Sequence, residues 1–203
     1  MFHLLRYTLC VILSYLIGSL SASILISKLI YHRDVRHSGS GNAGAANTAR
    51  VFGFGAGALT FLGDFGKGVA AMALSQSIAG ELGMVLGGVA CMLGHCFPLY
   101  FHFRGGKAVA TGAAVALMID WRVLVLAVAF YAVAALASRT ASLASLCAAA
   151  GVPIGSLLFH VSLPKLLLAI FTLVLVLVMH RSNIARIAAG TEPRFTFGKR
   201  PKP

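Results

Sequence analysis

Residues 4–26 read LLRYTLCVILSYLIGSLSASILI, an apolar run that contains a single charge, Arg6. A helix of about 20 such residues is long enough to cross the hydrocarbon core of a bilayer. The run could instead be a secretory signal, with Arg6 near its start and the small residues 21–23 as a cleavage site. Its length and the short polar segment that follows favour a retained transmembrane helix.

The composition of the chain also indicates a membrane protein. Of 203 residues, 59% are hydrophobic and 11% are charged, which is too apolar for a soluble domain. The net charge of +12 does not indicate nucleic-acid binding, because the basic residues are scattered between apolar runs. The four cysteines form no C-x-x-C pair, which favours small buried hydrophobes over a disulfide framework or a zinc site.

Hydropathy predicts an all-α protein with seven transmembrane helices in one domain, residues 1–203. The fourth segment is the shortest, since 12 residues span only about 18 Å of a core about 30 Å thick. Joining it to the fifth would bury Asp120 and Arg122 at mid-membrane, so we expect a turn there. The predicted segments are residues 4–26, 55–75, 82–100, 108–119, 123–136, 141–160 and 163–180.

The distribution of basic residues predicts the orientation of these helices. With seven crossings, thirteen Lys and Arg residues share one side, three lie on the other, and Lys67 lies inside a helix. The positive-inside rule then places the N-terminus outside and the C-terminus in the cytoplasm. The thirteen are Lys28, Arg33, Arg36, Arg50, Arg104, Lys107, Arg139, Arg181, Arg186, Arg194, Lys199, Arg200 and Lys202, and the three are Arg6, Arg122 and Lys165.

On the side with thirteen basic residues, the first polar segment is SGSGNAGAANTAR, residues 38–50. It offers backbone N–H groups, two carboxamides and a guanidinium, the groups with which proteins bind phosphate. The segment matches G-x-G-x-x-G, the fingerprint of dinucleotide-binding folds, but no strand or βαβ unit surrounds it. It also lacks the Gly-Lys-Ser/Thr ending of a nucleotide-hydrolysing loop. A flexible glycine linker is the alternative, although such linkers do not call for two Asn and an Arg.

Two further polar segments are predicted on the same side. In residues 94–107, glycines precede a helix and Lys107 adds charge near its N-terminus, so a second anion site is expected. His95 in this segment is either a functional group or a buried, hydrogen-bonded histidine. In residues 180–192, Asn183 and Arg186 share one helix face, and Gly190 is placed to end that helix.

One ionisable pair is expected inside the membrane. Asp64 and Lys67 are three residues apart on the second predicted helix, so they can pair. Ionisable groups at that depth generally face a polar cavity, although an anchoring role is the alternative.

The three polar segments together resemble the bacterial membrane acyl-phosphate:glycerol-3-phosphate acyltransferases, the PlsY family. The departures are Ala46 in place of Thr, Arg104 in place of Lys and Ala108 in place of Gly, and they affect only the fine geometry. The matching residues are SGSGNAG at 38–44 with Asn47 and Arg50, GHCFP at 94–98 with FRGGK at 103–107, and HRSNIAR at 180–186 with Gly190 and Glu192.

The resemblance implies transfer of a fatty acyl group from acyl-phosphate to the 1-hydroxyl of sn-glycerol 3-phosphate, which gives lysophosphatidic acid and phosphate. This is the first acylation of phospholipid synthesis. The site would face the cytoplasm from the bacterial inner membrane, within the lipid bilayer. No cofactor and no metal are expected, and the partners would be the enzymes that make acyl-phosphate and that acylate the product.

The resemblance also implies roles for individual residues. Ser40, Asn42 and Asn47 would contact phosphate and the acyl carbonyl, and Asn183 and Glu192 would orient glycerol 3-phosphate. The general base is either His95 or a phosphate oxygen of a substrate. The expected catalytic residues are Ser40, Asn42, Arg50, His95, Lys107, Asn183 and Glu192. The expected substrate-binding residues are Ser38, Gly39, Gly41, Gly44, Asn47, Arg104, Gly105, Gly106, His180 and Arg186.

Two other classes of function share some of these features. A transporter of phosphorylated solutes would also use basic residues and glycine loops, but it should carry charge near the midplane and often has repeated halves. A purely structural membrane protein would not need three anion-binding segments on one side.

Overall fold

The computed structural model describes residues 2–194, so Lys199, Arg200 and Lys202 of the predicted cytoplasmic tail lie outside the described residues. The described part of the chain is helical, with short 3-10 turns at Val35–His37 and Leu99–Phe101. Its α-helices are α1 (Phe2–Gly18), α2 (Ala22–Leu29), α3 (Ala45–Phe52), α4 (Phe54–Cys96), α5 (Val109–Ile119), α6 (Trp121–Ser138), α7 (Ala141–Leu158), α8 (Leu163–Met179) and α9 (Arg181–Ala188).

The first predicted segment is interrupted near its end. α1 stops at Gly18 and α2 starts at Ala22, because the Ser21 side chain accepts a hydrogen bond from the N–H of Ile24 (3.4 Å) and caps the new helix. The two helices together form a 28-residue candidate span, Phe2–Leu29. The break exposes backbone groups that become important at the candidate site.

Helix α4 is a hairpin of two antiparallel halves. Ala79 (φ −139°) and Gly80 (φ 67°) leave helical geometry, and glycine tolerates the positive φ at this turn. Lys67 Nζ lies 3.0 Å from His95 Nδ1, whereas 28 residues of straight helix would separate them by about 42 Å. The predicted division into segments 55–75 and 82–100 is therefore confirmed. A Cβ on Gly87 would lie only 2.7 Å from the Cβ of Ser75, so small residues allow this close packing.

Helix α5 is short and lies inside the bundle. Its 11 residues would cover about 16 Å, and Ala114, Val115 and Ala116 are fully buried. The predicted turn at residues 120–122 is confirmed, since the Asp120 side chain caps α6 by accepting a hydrogen bond from the N–H of Arg122 (2.8 Å). Because α5 is buried among other helices, its side chains are apolar even though the helix is short.

The chain is an all-helical integral membrane protein. Four helical stretches are long and apolar enough to cross a membrane, or five if α8 and α9, bent by 62°, count as one span. Large apolar side chains are exposed on the outside of the bundle, including Leu136 (81%) and Phe54 (87%). Such a surface suits lipid better than water. Met72, Met92 and Leu168 pack in a core that also includes residues of α5 and α6.

Candidate active site

A cavity of about 1050 Å³ opens at the end of the bundle where α3, α5, α7 and α9 meet. One part of its wall is apolar and includes Phe61, Leu62, Val128 and Tyr131. The other part is polar and is formed by residues from all three polar segments. The predicted site residues in the wall are Gly39, Ser40, Asn42, Gly44, Asn47, Arg50, His95, Lys107, His180, Asn183, Arg186 and Glu192.

The first polar segment is shaped from within by Asn47. Its side chain is 1% exposed, and its Oδ1 accepts a hydrogen bond from the N–H of Ser40 (2.8 Å). Its Nδ2 donates to the carbonyls of Ser38 (3.0 Å), Asn42 (3.1 Å) and Val35 (3.2 Å). These bonds use its carboxamide to hold the loop, and the expected contact of Asn47 with substrate stays a prediction.

Asn47 leaves other groups of the loop available to a ligand. Ser40 and Asn42 line the cavity, and no hydrogen bond from either side chain occurs within the described residues. Gly44 precedes α3 without a side-chain cap, so the first N–H groups of that helix remain open to an anion. Arg50, one turn further along, has no carboxylate partner among the described residues, and it also lines the cavity.

The first segment is tied to the second by Arg36. Its guanidinium pairs with Asp34 (2.7 Å) and donates from Nη1 to the carbonyl of Phe101 (3.0 Å). The hydrogen bond from Arg36 holds the pKa of Asp34 well below its usual range. This charged pair therefore fixes the spacing between two segments that are far apart in sequence.

The second segment folds back on the end of α4. The N–H groups of Gly105 and Gly106 donate to the carbonyls of Cys96 (3.2 Å) and His95 (3.1 Å). A Cβ on Gly106 would run into Nε2 of His95 and lie 2.8 Å from the carbonyl oxygen of Ala43. Glycine is therefore required here by close packing, and the fold-back places Lys107 at the cavity.

The third segment forms a hydrogen-bonded network around Glu192. Oε1 accepts from Asn183 Nδ2 (2.7 Å) and Ser142 Oγ (2.7 Å), and Oε2 pairs with Arg186 Nε (2.7 Å). Lys107 Nζ donates to Asn183 Oδ1, which joins the second segment to the third. Burial raises the pKa of Glu192, but hydrogen bonds from Ser142, Asn183 and Arg186 outweigh burial and leave that pKa below its usual value.

His180 is buried beside this network. Its Nδ1 lies 2.9 Å from the carbonyl oxygen of Val176, and because a carbonyl can only accept, Nδ1 carries the proton. A neutral His180 therefore has its lone pair on Nε2, in the cavity wall.

The polar wall carries more positive than negative charge. Arg50, Lys107 and Arg186 line it, against the carboxylates of Glu192 and Asp64, and Asp64 is already paired with Lys67. Burial lowers the pKa of Lys107, and repulsion from Arg186 lowers it further. A bound phosphate dianion would relieve that repulsion, so the wall is suited to anionic substrates.

The structure does not bring every predicted residue into the wall. Arg104 is exposed and is not among the residues that line the cavity, so the departure from Lys at this position does not change the lining. Four others support the wall without lining it. These are Ser38, Gly41, Gly105 and Gly106.

Two features of the site were not assigned by the sequence. Ser142 donates to Glu192, and the only signal for it was its place at the start of the predicted segment 141–160, just after a loop predicted on the same side. The predicted pair of Asp64 and Lys67 is confirmed at 2.7 Å, but its contact with His95 was not foreseen, because it depends on how the two halves of α4 pack.

Comparison with known proteins relates this arrangement to one family. The profile of the glycerol-3-phosphate acyltransferase family matches residues 8–190. Glycerol-3-phosphate acyltransferases from Rubrobacter xylanophilus and Jannaschia sp. are 41% and 40% identical to the chain, over 92% of it in both cases and 94% and 91% of their own lengths.

Solved structures agree with the sequence relatives. A crystal structure of PlsY, an integral membrane glycerol 3-phosphate acyltransferase, in its glycerol 3-phosphate form, superposes with a TM-score of 0.89 at 33% identity, covering 94% of this chain and 96% of that one. A lysophosphatidic acid form of PlsY gives a TM-score of 0.87 at 32% identity, with coverage of 94% and 95%.

Proposed function

The chain belongs to the glycerol-3-phosphate acyltransferase family, and we propose that the cavity is where it transfers an acyl group from acyl-phosphate to the 1-hydroxyl of glycerol 3-phosphate. The protein is a membrane glycerol-3-phosphate acyltransferase of phospholipid synthesis, and its product is lysophosphatidic acid. The donor and the residue roles are the parts that we propose.

One observation carries this proposal: a polar wall with excess positive charge and an apolar wall share a single cavity. An acyl-phosphate needs both, since its phosphate is anionic and its chain is a hydrocarbon. Glycerol 3-phosphate needs only the polar part. The cavity volume of about 1050 Å³ is at the upper end of the usual range for small-molecule sites, which suits two substrates.

The residue roles follow from which polar groups are already occupied. Ser40, Asn42 and Arg50 have free donors and suit a phosphate group. Lys107, Asn183 and Arg186 are held by the Glu192 network, so they form a rigid set that orients a second phosphate or a hydroxyl. Binding two anions side by side would bring the reacting atoms together, which can supply much of the rate enhancement.

The reaction then needs no covalent enzyme intermediate. The glycerol 3-phosphate hydroxyl oxygen attacks the acyl carbonyl carbon and forms the ester bond. The anhydride C–O bond breaks, and phosphate leaves with the electron pair. The hydroxyl proton passes to a phosphate oxygen or to a histidine, and cationic and N–H donors stabilise the oxyanion that forms on the carbonyl oxygen.

The proposed topology has seven crossings, with the N-terminus outside and the C-terminus in the cytoplasm. Support comes from the fold-back of α4, which supplies two antiparallel helices, and from α5, which is short but apolar. Arg50, Lys107 and Arg186 all reach one cavity, as a shared cytoplasmic side requires. The protein would act as one domain in the bacterial inner membrane, between the enzymes that supply acyl-phosphate and those that acylate lysophosphatidic acid.

The test is turnover by purified protein in detergent. We expect phosphate release that requires both acyl-phosphate and glycerol 3-phosphate, with one lysophosphatidic acid formed per phosphate. Replacing acyl-phosphate by acyl-CoA or acyl carrier protein thioester serves as the donor control. Turnover with a thioester and none with acyl-phosphate would refute the proposed donor.

A pair of variants tests the residue roles. Arg50→Ala and Asn183→Ala, each assayed for KM against both substrates, should raise the two KM values unequally if the two polar segments hold different substrates. Equal effects of both variants on both substrates would contradict separate phosphate sites.

A further inference from the structure

Beside the cavity, one buried cluster is not used by the mechanism above. It consists of Asp64 and Lys67 from the first half of α4, His95 from the second half, and the carbonyl of Leu20 at the break between α1 and α2. The side chains of Asp64, Lys67 and His95 are 1%, 8% and 3% exposed. Ionisable groups this deeply buried in a membrane protein usually serve function.

The lysine has three neighbours and three protons to give. Its Nζ lies 2.5 Å from the Leu20 carbonyl oxygen, 2.7 Å from Asp64 Oδ1 and 3.0 Å from His95 Nδ1. A lysine ammonium has three N–H donors and no acceptor. Nδ1 of His95 also lies 3.5 Å from Asp64 Oδ1, but all three lysine contacts are satisfied at once only if Nδ1 accepts from Lys67 and therefore carries no proton.

This arrangement fixes the form of the histidine. A neutral imidazole without a proton on Nδ1 carries it on Nε2. His95 lines the cavity, and Gly106 packs so closely against Nε2 that only a residue without a side chain fits beside it.

We propose that Lys67 is a positioning residue for acyl transfer, whose ammonium holds His95 as an Nε2–H donor facing the cavity, so that His95 binds a substrate oxygen and does not act as the general base. The proposal rests on the proposed function for the identity of that oxygen, a carbonyl or phosphate oxygen of acyl-phosphate or glycerol 3-phosphate. The acceptors left to receive the hydroxyl proton are then a substrate phosphate oxygen and Nε2 of His180.

A purely structural role is the competing explanation. Asp64 Oδ1 also accepts from the N–H of Ala22 (3.4 Å), so Asp64 and Lys67 together bind the backbone on both sides of the break between α1 and α2. Removing Lys67 would then reduce stability without acting through His95. The experiment must separate these two effects.

The first measurement is the protonation state of the ring nitrogens. Protein labelled with ¹⁵N-histidine is studied by NMR in detergent, and His95 is assigned as the signal missing from His95→Asn. We expect Nδ1 without a proton and Nε2 with one at neutral pH in the wild-type protein. A protonated Nδ1 would overturn the proposal, and the result needs neither substrate nor a folded Lys67 variant.

The second measurement is a double-mutant cycle on kcat. Lys67→Met should lower kcat by about 10- to 100-fold with smaller changes in KM, and it should change the ¹⁵N signals of His95. If Lys67 acts through His95, Lys67→Met combined with His95→Asn should be no slower than the slower single variant, within about twofold. Losses that multiply would show that Lys67 acts independently and would overturn the proposal.

A matched control and the wild-type assay distinguish the proposed role of Lys67 from the proposed acyl-phosphate donor. Lys165→Met removes a lysine that pairs with Glu81 (3.6 Å) at the opposite end of the bundle, and it should leave kcat unchanged. If wild-type protein shows no acyl transfer from acyl-phosphate, the proposed donor fails, while the ring-nitrogen signals still decide the form of His95.

Discussion

The two ends of the bundle use the same kinds of charged residue in different ways. At the cavity end, Glu192 is bonded to residues from α7 and α9, and Lys107 reaches the same network. At the opposite end, Asp120 pairs with Arg122 two residues away, and both are more exposed. The Glu192 network joins distant segments into a site, whereas the Asp120 and Arg122 pair only caps a helix.

The two ends differ in how much positive charge remains unpaired with a carboxylate. The exposed Asp120 and Arg122 pair neutralise each other, and the Arg122 guanidinium also lies 4.6 Å from the Phe159 ring, so no charge is left for a ligand. At the cavity end Arg50, Lys107 and Arg186 outnumber the carboxylates of Glu192 and Asp64, and Asp64 is already paired with Lys67. A site for anions therefore arises from an incomplete balance of charge, held rigid by hydrogen bonds.

The largest expected effect comes from removing a cation at the cavity end. Lys107→Met should lower kcat/KM by about 100- to 1000-fold, the usual loss when a donor that stabilises developing charge is removed. Lys165→Met, at the opposite end, is the matched control and should change it little. Steady-state kinetics on both variants decides the comparison, and equal losses would show that the two ends do not differ in function.

The next largest effect is expected from adding a side chain where Gly106 packs against His95. Gly106→Ala would place a Cβ against Nε2 of His95 and the Ala43 carbonyl, so we expect a loss in kcat of about 10- to 100-fold and about 1–3 kcal/mol in stability. Gly66→Ala is the control, because a Cβ there meets nothing within 4 Å. An active, stable Gly106→Ala protein would contradict the packing described here.

Some features of the site could be predicted from the sequence and others could not. The three polar segments, the turn at 79–80 and the pairing of Asp64 with Lys67 follow from hydropathy and helical spacing, which are local properties. The hydrogen bonds by which Asn47 holds its own loop, the exposure of Arg104 and the bond from Ser142 to Glu192 depend on packing between elements. No spacing rule predicts which way a loop side chain turns.

A smaller effect is expected from pH. Because the pKa of Glu192 is lower in the folded protein than its usual value of 4.5, its contribution to stability is present above about pH 4.5 and is lost as the pH falls through the folded pKa. Glu192→Gln should cost about 1–3 kcal/mol at neutral pH and remove that part of the acid sensitivity. Thermal unfolding in detergent at several pH values measures both.

The matching change at the opposite end should matter less. The hydrogen bond from Arg122 lowers the pKa of Asp120 to about 2, but the pair is exposed, so Asp120→Asn should change stability by less than about 1 kcal/mol. The remaining effect should shrink as salt is added, since exposed pairs are screened. A larger loss than for Glu192→Gln would reverse the comparison.

The smallest expected effect is that of a chelator. None of the described residues forms a cluster of three or more His, Cys, Asp or Glu side chains that could hold a metal ion. We expect initial rates with and without EDTA to agree, with added Mg²⁺ as the control. A loss of activity restored by one metal ion would show that the charge excess at the cavity acts together with a cation.

The most direct test of the account asks whether the two ends lie on opposite sides of the membrane. Arg50→Cys and Arg122→Cys, each in a Cys147→Ala background, are treated in intact cells with a thiol reagent that cannot cross the membrane. The account predicts labelling of the Arg122→Cys protein in intact cells, and labelling of the Arg50→Cys protein only after the cells are opened. Labelling of Arg50→Cys from outside would contradict a cytoplasmic site.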